Sequence, residues 1–125
     1  MSRKLAVMAL GGLLGLASLA AVAEEPAEVY DGVLVGEGDM TLYVFDKDAP
    51  GSGRSACNGP CAENWPPFAA SADAEPEGGF TVITRDDGAA QWAYQGRPLY
   101  YWVKDQKPGD MTGDGVKEVW HVARP

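Results

Sequence analysis

The chain has 125 residues and carries 18 acidic against 10 basic side chains, which gives a formal net charge of −8 at pH 7. Phosphate backbones and anionic lipids repel such a surface, so neither nucleic-acid binding nor membrane-surface binding is expected. Four Trp, five Tyr and three Phe supply enough large apolar side chains for a packed core, which indicates a folded domain.

Residues 1–23 have the features of a cleaved signal peptide. The basic pair Arg3 and Lys4 precedes an uncharged apolar stretch, and Ala21-Val22-Ala23 supplies small residues at the positions that signal peptidase reads. A membrane anchor is the alternative, because the apolar stretch is just long enough to span a bilayer. The small residues at its end favour cleavage, and it contains no cysteine to which a lipid could be attached. We therefore expect an exported protein, periplasmic or secreted, that begins at Glu24 and keeps no stable membrane anchor.

After a flexible leader over residues 24–28, the sequence indicates a single β-rich domain over residues 29–125. Short clusters of β-branched and aromatic residues alternate with Gly, Pro, Asn and Asp, which is typical of strands joined by turns. The clearest hairpin turns at Asp86-Asp87-Gly88. No sustained helical periodicity follows the signal peptide. The predicted strands cover residues 30–35, 41–45, 80–84, 92–94, 99–103 and 116–123.

An internal repeat is the most informative feature of the sequence. Residues 41–48 and 98–105 both contain Leu-Tyr-x-aromatic-x-Lys-Asp, and each copy is followed by Pro-Gly and then by a Trp. The repeated segments extend over about residues 41–68 and 98–123. Two copies indicate pseudo-symmetry rather than a solenoid. The fold class that we predict is therefore all-β, a small antiparallel sandwich or barrel-like domain built from two related halves.

The spacing within each copy predicts what its residues do. Alternate residues of a strand point to the same face, so the Tyr and the aromatic residue two positions later share a face. The Asp follows at the end of the strand, where its carboxylate can accept N–H groups of the Pro-Gly turn. This structural role is favoured over a role in ligand binding. The repeat-motif residues are Tyr43, Phe45, Asp48 and Trp65 in the first copy and Tyr100, Trp102, Asp105 and Trp120 in the second.

Both copies, Tyr43-x-Phe45-x-x-Asp48 and Tyr100-x-Trp102-x-x-Asp105, resemble the Yx(FWY)xxD motif of a family of predicted bacterial lipoproteins, also called the secreted repeat of unknown function. The resemblance covers about residues 42–122. Further matching positions are Ser55-Ala56-Cys57, Cys61, Trp65-Pro66-Pro67, Trp92-x-Tyr94-x-Gly96 and Trp120-His121-Val122. The family implies an exported repeat domain that is often lipid-anchored, and it offers no catalytic residue to carry over. This chain departs from the family in lacking the lipid-attachment cysteine.

Cys57 and Cys61 are the only cysteines of the chain, and the residues between them, Asn58-Gly59-Pro60, are all turn formers. In an oxidising compartment such a pair favours a structural disulfide. A thiol oxidoreductase would have two intervening residues rather than three. A c-type haem would need His in place of Ala62. The spacing therefore leaves a disulfide as the favoured interpretation.

A copper site is the alternative use of the cysteines. Cys57, Cys61 and His121 would form the ligand set, with Met40 and Met111 as further soft donors. His121 is the only histidine, and its two neighbours in the sequence are apolar, which places it toward solvent or a groove if those neighbours face the core. A surface or packing role is favoured for this histidine, and no metal is expected.

The sequence contains no G-x-S-x-G motif, no Ser-His-Asp order and no pair of histidines. A calcium loop of the EF-hand type starting at Asp110 is disfavoured, because its twelfth position is His121 rather than an acid. We expect no enzyme, no catalytic residue and no cofactor. The expected function is an exported, non-enzymatic binding or envelope-interaction module with an unidentified ligand or envelope protein as partner. The alternative is a periplasmic copper-handling protein that uses Cys57, Cys61 and His121.

Overall fold

The computed structural model describes residues 25–125, so the expected signal peptide lies outside the described part. The seven strands of this part pair only antiparallel, in three small sheets with the orders β1-β2, β3-β7 and β4-β5-β6. The strands are β1 (Glu28–Tyr30), β2 (Val33–Val35), β3 (Tyr43–Phe45), β4 (Phe80–Thr84), β5 (Ala90–Tyr94), β6 (Arg97–Pro98) and β7 (Trp120–Val122). The helical elements are α1 (Pro60–Asn64) and the 3₁₀ helices Glu37–Asp39 and Val116–Glu118. The predicted all-β, antiparallel class is confirmed.

The hairpin that the sequence predicts most clearly is present as β4 and β5. Phe80 lies opposite Tyr94 at its open end, and Thr84 lies opposite Ala90 next to the turn. Gly88 has a φ of +90°, a conformation that favours glycine, which explains why the turn falls there. None of the helices among residues 25–125 has the length and apolar character needed to cross a bilayer.

The first predicted strand, over residues 30–35, is wrong. This segment is a tight hairpin, in which Asp31 and Gly32 join β1 to β2 with φ values of 54° and 77°. Two left-handed residues of this kind match the twist of the strands on either side. The folded part also begins earlier than residue 29, because Ala27 is only 5% exposed and Glu28 pairs with Val35.

Two later strands are shorter than predicted. Within residues 116–123 only β7 is a strand, because Lys117 and Glu118 have φ values of 52° and 63° and close a 3₁₀ turn before it. Within residues 99–103 no regular strand forms, and Tyr100 makes isolated bridges to Tyr43 and Pro67 instead. Tyr100 is thus bridged on two sides at single positions rather than along a ladder.

Helix α1 was not expected, because a five-residue element is too short to show helical periodicity. Pro60 occupies its first turn, where the missing N–H is not needed, and Gly59 precedes it with a φ of +60°. The helix therefore begins inside the Cys57–Cys61 loop and contains Cys61. It ends before Trp65, which it delivers to the core.

The two repeats are related by an approximate two-fold axis that passes between Tyr43 and Tyr100. The backbone N–H of each of these residues donates to the carbonyl of the other, at 2.8 and 3.0 Å. The neighbouring pairs follow the same symmetry, because Tyr43 lies opposite Val122 and Tyr100 opposite Pro67. The two repeats thus contact each other through equivalent residues, like the two subunits of an isologous dimer, but within one chain.

The halves are interleaved, and neither lies beside the other as a separate unit. Ala123 donates its N–H to the carbonyl of Leu42 at 2.8 Å, and Phe68 donates its N–H to the carbonyl of Leu99 at 2.9 Å. One core cluster surrounds the axis and contains Val33, Tyr43, Phe45, Cys57, Trp65, Tyr100, Trp120 and Val122. The other contains Ala27, Leu34, Leu42, Phe68, Phe80, Leu99 and Ala123. Each cluster takes side chains from both halves.

Candidate functional site

Four aromatic rings form a continuous stack at the centre of the molecule. Phe45 stacks on Trp120 with centroids 4.1 Å apart, Trp120 on Trp65 at 3.8 Å, and Trp65 on Trp102 at 4.0 Å. The rings come alternately from the first and the second repeat. The two-fold axis therefore passes between the central pair, whose planes differ by only 2°.

The sequence explains how the stack is held. The strand period places Tyr43 and Phe45 on one face, and the rings of Tyr43 and Trp65 meet edge to face with centroids 5.3 Å apart. In the other half, Tyr100 meets Trp120 edge-on at 5.1 Å. Gly113 closes one side, because a Cβ atom there would lie 2.8 Å from Trp65 and 2.9 Å from Trp102. Any larger residue at this position would push the stack apart.

A cleft of about 400 Å³ opens over the stack, between α1 and the 3₁₀ helix Val116–Glu118. Its lining combines the four stacked rings with two lysines, one disulfide-bonded cysteine, one asparagine and three apolar side chains. The lining residues are Phe45, Lys47, Pro60, Cys61, Asn64, Trp65, Trp102, Val116, Lys117, Val119 and Trp120. The lining contains no carboxylate. The cleft is larger than the concavities beside Tyr30 and Tyr94, which have volumes of about 60 and 180 Å³.

The tyrosines and aspartates of the motif bond across the axis. Tyr43 donates its hydroxyl to Oδ2 of Asp105, and Tyr100 donates its hydroxyl to Oδ2 of Asp48, both at 2.6 Å. The second oxygen of Asp48 accepts the N–H of Ala56 at 2.6 Å. The motif therefore joins the Tyr of one repeat to the Asp of the other.

The sequence predicts that each Asp accepts N–H groups of the Pro-Gly turn that follows it. This prediction is wrong, because other residues donate to the aspartates. The backbone donors lie beyond that turn, at Ala56 for Asp48 and at Thr112 for Asp105, whose Oδ1 accepts the Thr112 N–H at 3.0 Å and its hydroxyl at 2.7 Å. The structural role that the spacing predicts for the aspartates is thus filled through a longer loop. Each loop brings its donor back to the carboxylate of the motif.

Burial shifts the pKa values of this hydrogen-bonded centre. Burial, followed by the bond to Asp105, raises the pKa of Tyr43 above its usual range, and burial and Asp48 do the same for Tyr100. Burial also raises the pKa of Asp48, although the Tyr100 hydroxyl, the Ala56 N–H and the charge of Arg85 oppose this shift. Both tyrosines therefore stay protonated and act as donors.

Arg85 is a buried cation that the sequence analysis missed. It is 5% exposed and donates to Ser55 Oγ at 3.1 Å, to Gln91 Oε1 at 2.7 Å and to the Cys57 carbonyl at 2.6 Å. Because Ser55 Oγ lies 2.7 Å from the Tyr100 hydroxyl, one chain of bonds connects the guanidinium to the Asp48 carboxylate. The period of β4 could have found it, since Ile83 and the residue two positions later face the same side.

Replacing Tyr100 with phenylalanine should destabilise the protein by about 1–3 kcal/mol near pH 7, because Asp48 loses a donor while it stays buried. The substitution also removes the hydrogen bond of the Tyr100 hydroxyl, which lowers the pKa of Asp48, so that pKa rises further. A carboxyl whose folded pKa exceeds its unfolded value costs stability only while it is ionised. The loss of stability should therefore become smaller as the pH falls from above the raised pKa of folded Asp48 toward 3.8, the ordinary pKa of this group. Urea unfolding at several pH values measures it.

Tyr101→Phe is the matched control, because it removes the hydroxyl of the adjacent tyrosine. Within residues 25–125 that hydroxyl accepts the N–H of Glu37, an exposed group at 2.9 Å that water can satisfy. We expect a loss of about 0.5 kcal/mol or less, with no fall toward acid pH. Equal losses for the two variants would contradict a special role of the Tyr100–Asp48 bond.

The disulfide between Cys57 and Cys61 is confirmed, with a Cα–Cα distance of 5.2 Å. Closing so short a loop stabilises the fold by about 2 kcal/mol. In this oxidised form the two sulfurs are bonded to each other and are not thiolate ligands. His121 is half-exposed, as its alternation with buried neighbours predicts, and its Nε2 lies 2.8 Å from Oδ2 of Asp46. Residues 25–125 contain no group of three or more His, Cys, Asp or Glu that could hold a metal. The copper alternative gains no support from this arrangement.

All eight repeat-motif residues meet around the two-fold axis, four in the stack and four in the Tyr–Asp bonds. The family of secreted repeats of unknown function matches this chain twice, over residues 27–69 and 81–124. Both matches begin earlier than the repeats seen in the sequence, because each includes the hairpin that precedes the motif. Neither the curated proteins nor the solved structures gave a match. The chain is thus an exported protein that belongs to the family of secreted repeats of unknown function, and it contains two copies of the repeat.

Proposed function

We propose that this protein is a non-enzymatic binding module and that the cleft over the aromatic stack is its ligand site. The observation that carries the proposal is the lining: four aromatic rings and two lysines around about 400 Å³. Ligand sites are typically concave and mainly apolar, with a few polar groups that orient the ligand. This cleft has that composition, and it lies on the axis where both repeats meet.

The lining supports binding rather than catalysis. It contains no Ser, His, Asp or Glu that could serve as nucleophile or as general acid and base. Its one sulfur belongs to Cys61, which is bonded to Cys57. The lysines sit at the rim on exposed positions, where they can attract and hold a ligand. A catalytic assignment would need groups that this cleft does not bring together.

Binding can be tested through the indole N–H signals of the four tryptophans in ¹⁵N-labelled protein. Naphthalene-2-carboxylate, a two-ring probe of suitable size, should shift the signals of Trp65, Trp102 and Trp120, which line the cleft. The Trp92 signal should stay in place, because this residue packs against the other core cluster. A uniform shift of all four signals, or none, would contradict the proposed site.

Blocking the cleft gives a second check. Asn64 lies on the exposed side of α1 and lines the cleft, so Asn64→Phe should reduce binding of the same probe without disturbing the core. Thr81→Phe is the matched control, because Thr81 is exposed on β4, outside the cleft lining. Loss of binding in the control alone, or in both variants, would speak against the cleft.

A further inference from the structure

We propose that the ligand of this cleft is a small organic anion with a planar apolar body. This inference rests on the proposed function and names the chemical class of its ligand. Lys47 and Lys117 would hold the anionic group, the indole N–H groups of Trp65 and Trp120 would donate to it, and the apolar lining would cover the rest. Three independent features of the cleft lead to this class.

The first feature is local charge. Acidic side chains outnumber basic ones by 18 to 10 in the whole chain, yet the cleft is lined by two lysines and no carboxylate. Neither lysine forms a salt bridge within residues 25–125. A third lysine, Lys104, lies 5.9 Å from the centroid of the Trp102 ring. The cleft is therefore a cationic region on an acidic surface, and it attracts an anion selectively.

The second feature is a pair of buried tryptophans whose indole N–H groups lack an acceptor. Trp65 and Trp120 are 4% and 3% exposed, and neither indole N–H donates a hydrogen bond to another group of residues 25–125. Buried indole N–H groups normally find a partner, and an unpaired one costs free energy. Both rings line the cleft, so we place the missing acceptor there, as an oxygen atom of the ligand. Carboxylate and sulfonate oxygens accept such bonds most strongly.

The third feature is the backbone at Lys117. This residue and Glu118 have φ values of 52° and 63°, which side chains larger than glycine adopt at a cost. Such residues persist where the surrounding structure holds them, and they cluster at ligand-binding positions. Gly115, two residues before Lys117, also has a positive φ, of 88°. The turn that holds this conformation places Lys117 in the lining of the cleft.

The apolar part of the cleft defines the body of the ligand. Phe45, Trp102, Val116 and Val119 line it with aromatic and branched side chains. An inorganic anion would leave this surface uncovered, and a neutral hydrocarbon would leave the lysines and indoles unpaired. A neighbouring depression of about 370 Å³ shares Lys47 but has no aromatic lining, and it includes Asp48 and Asp86. Its mixed charge does not select an anion.

Three naphthalene probes of similar size but different charge test the class on the full protein: naphthalene-2-carboxylate, naphthalene-2-carboxamide and the cation 2-naphthylmethylammonium. Dissociation constants follow from the shifts of the indole N–H signals. We expect the carboxylate to bind about tenfold more tightly than the carboxamide, and the cation to bind most weakly. The Trp65 and Trp120 signals should move downfield with the carboxylate, as they gain a charged acceptor.

Two charge variants locate the anion. Lys47→Gln and Lys117→Asn should each weaken carboxylate binding about three- to tenfold and leave carboxamide binding unchanged. Asn is chosen at the second position because it tolerates left-handed backbone. Lys107→Gln is the matched control, since Lys107 is exposed and paired with Asp110, outside the cleft lining. Thermal unfolding of each variant checks that it folds.

The outcomes separate the two proposals. Equal affinity for carboxylate and carboxamide would overturn the anionic class, while the cleft would stand as a binding site. Carboxylate binding that survives both lysine variants would also overturn it, because the anion would then lie elsewhere. Indole signals that stay in place with all three probes would overturn the binding module together with its ligand class.

Discussion

Replacing Trp65 with alanine should destabilise the domain by about 3–5 kcal/mol, a large part of the 5–15 kcal/mol typical of a whole domain. Trp65 is almost fully buried, it stacks on Trp102 at 4.0 Å and Trp120 at 3.8 Å, and it meets the edge of Tyr43. The truncation leaves a cavity at the two-fold axis and separates the remaining rings. Urea unfolding measures the loss. The far-ultraviolet circular dichroism should also lose the signal of coupled indoles.

Trp92→Ala is the control for this experiment, because it removes an indole outside the stack. Trp92 is half-buried and packs edge-on against Phe80 at 6.3 Å in the other core cluster. Its truncation should cost about 1–2 kcal/mol and leave the coupled-indole signal in place. A smaller loss at Trp65 than at Trp92 would show that the stack is not the main stabilising contact.

The sequence predicts which residues form the centre of the molecule but not which of them pair. Strand period and the internal repeat place Tyr43 and Phe45 on one face and make Tyr100 and Trp102 their counterparts. A repeat states that two segments are equivalent. The repeat does not indicate whether the Tyr of one copy bonds to the Asp of the same copy or to that of the other copy. Here the Tyr43–Asp105 and Tyr100–Asp48 bonds cross between copies.

Local backbone choices explain the strands that were predicted wrongly. Asp31-Gly32 is a strong hairpin signal, but the strands on either side have only three residues each, so the segment also fits one continuous strand. Lys117 and Glu118 carry no signal for left-handed backbone, because such residues rarely adopt it. Their conformation is imposed by the contacts of the folded chain.

The position of Lys47 and Lys117 beside the cleft likewise could not be predicted from the sequence. Lys47 belongs to the repeat, yet its place beside the stack depends on how the two halves meet. The same holds for Arg85, which becomes a buried cation only because Ser55, Gln91 and the Cys57 carbonyl converge on it. Residues that gain their role from interleaved halves can be identified only once the pairing of the halves is known.

Neither half of this domain should fold as a monomer when it is produced alone. Residues 25–75 keep Phe45 and Trp65, but the rings between and beside them, Trp120 and Trp102, come from the other half. The half would also lose the β7 partner of β3 and the acceptor of the Tyr43 hydroxyl. Far-ultraviolet circular dichroism and amide signal dispersion should report a largely unfolded chain for each half.

Mixing the two halves in equal amounts should restore the fold, because every interleaved contact is between them. Near-ultraviolet circular dichroism and the indole N–H signals of the stack measure this recovery, and dilution should reverse it. The control is the full chain cleaved at an inserted protease site in the exposed loop near Asp73, where both halves remain present. Cleavage there should leave the fold intact at micromolar concentration. A stable, monomeric fold of residues 25–75 alone would contradict the interleaved architecture, since the stack and the Tyr–Asp bonds would then not be needed.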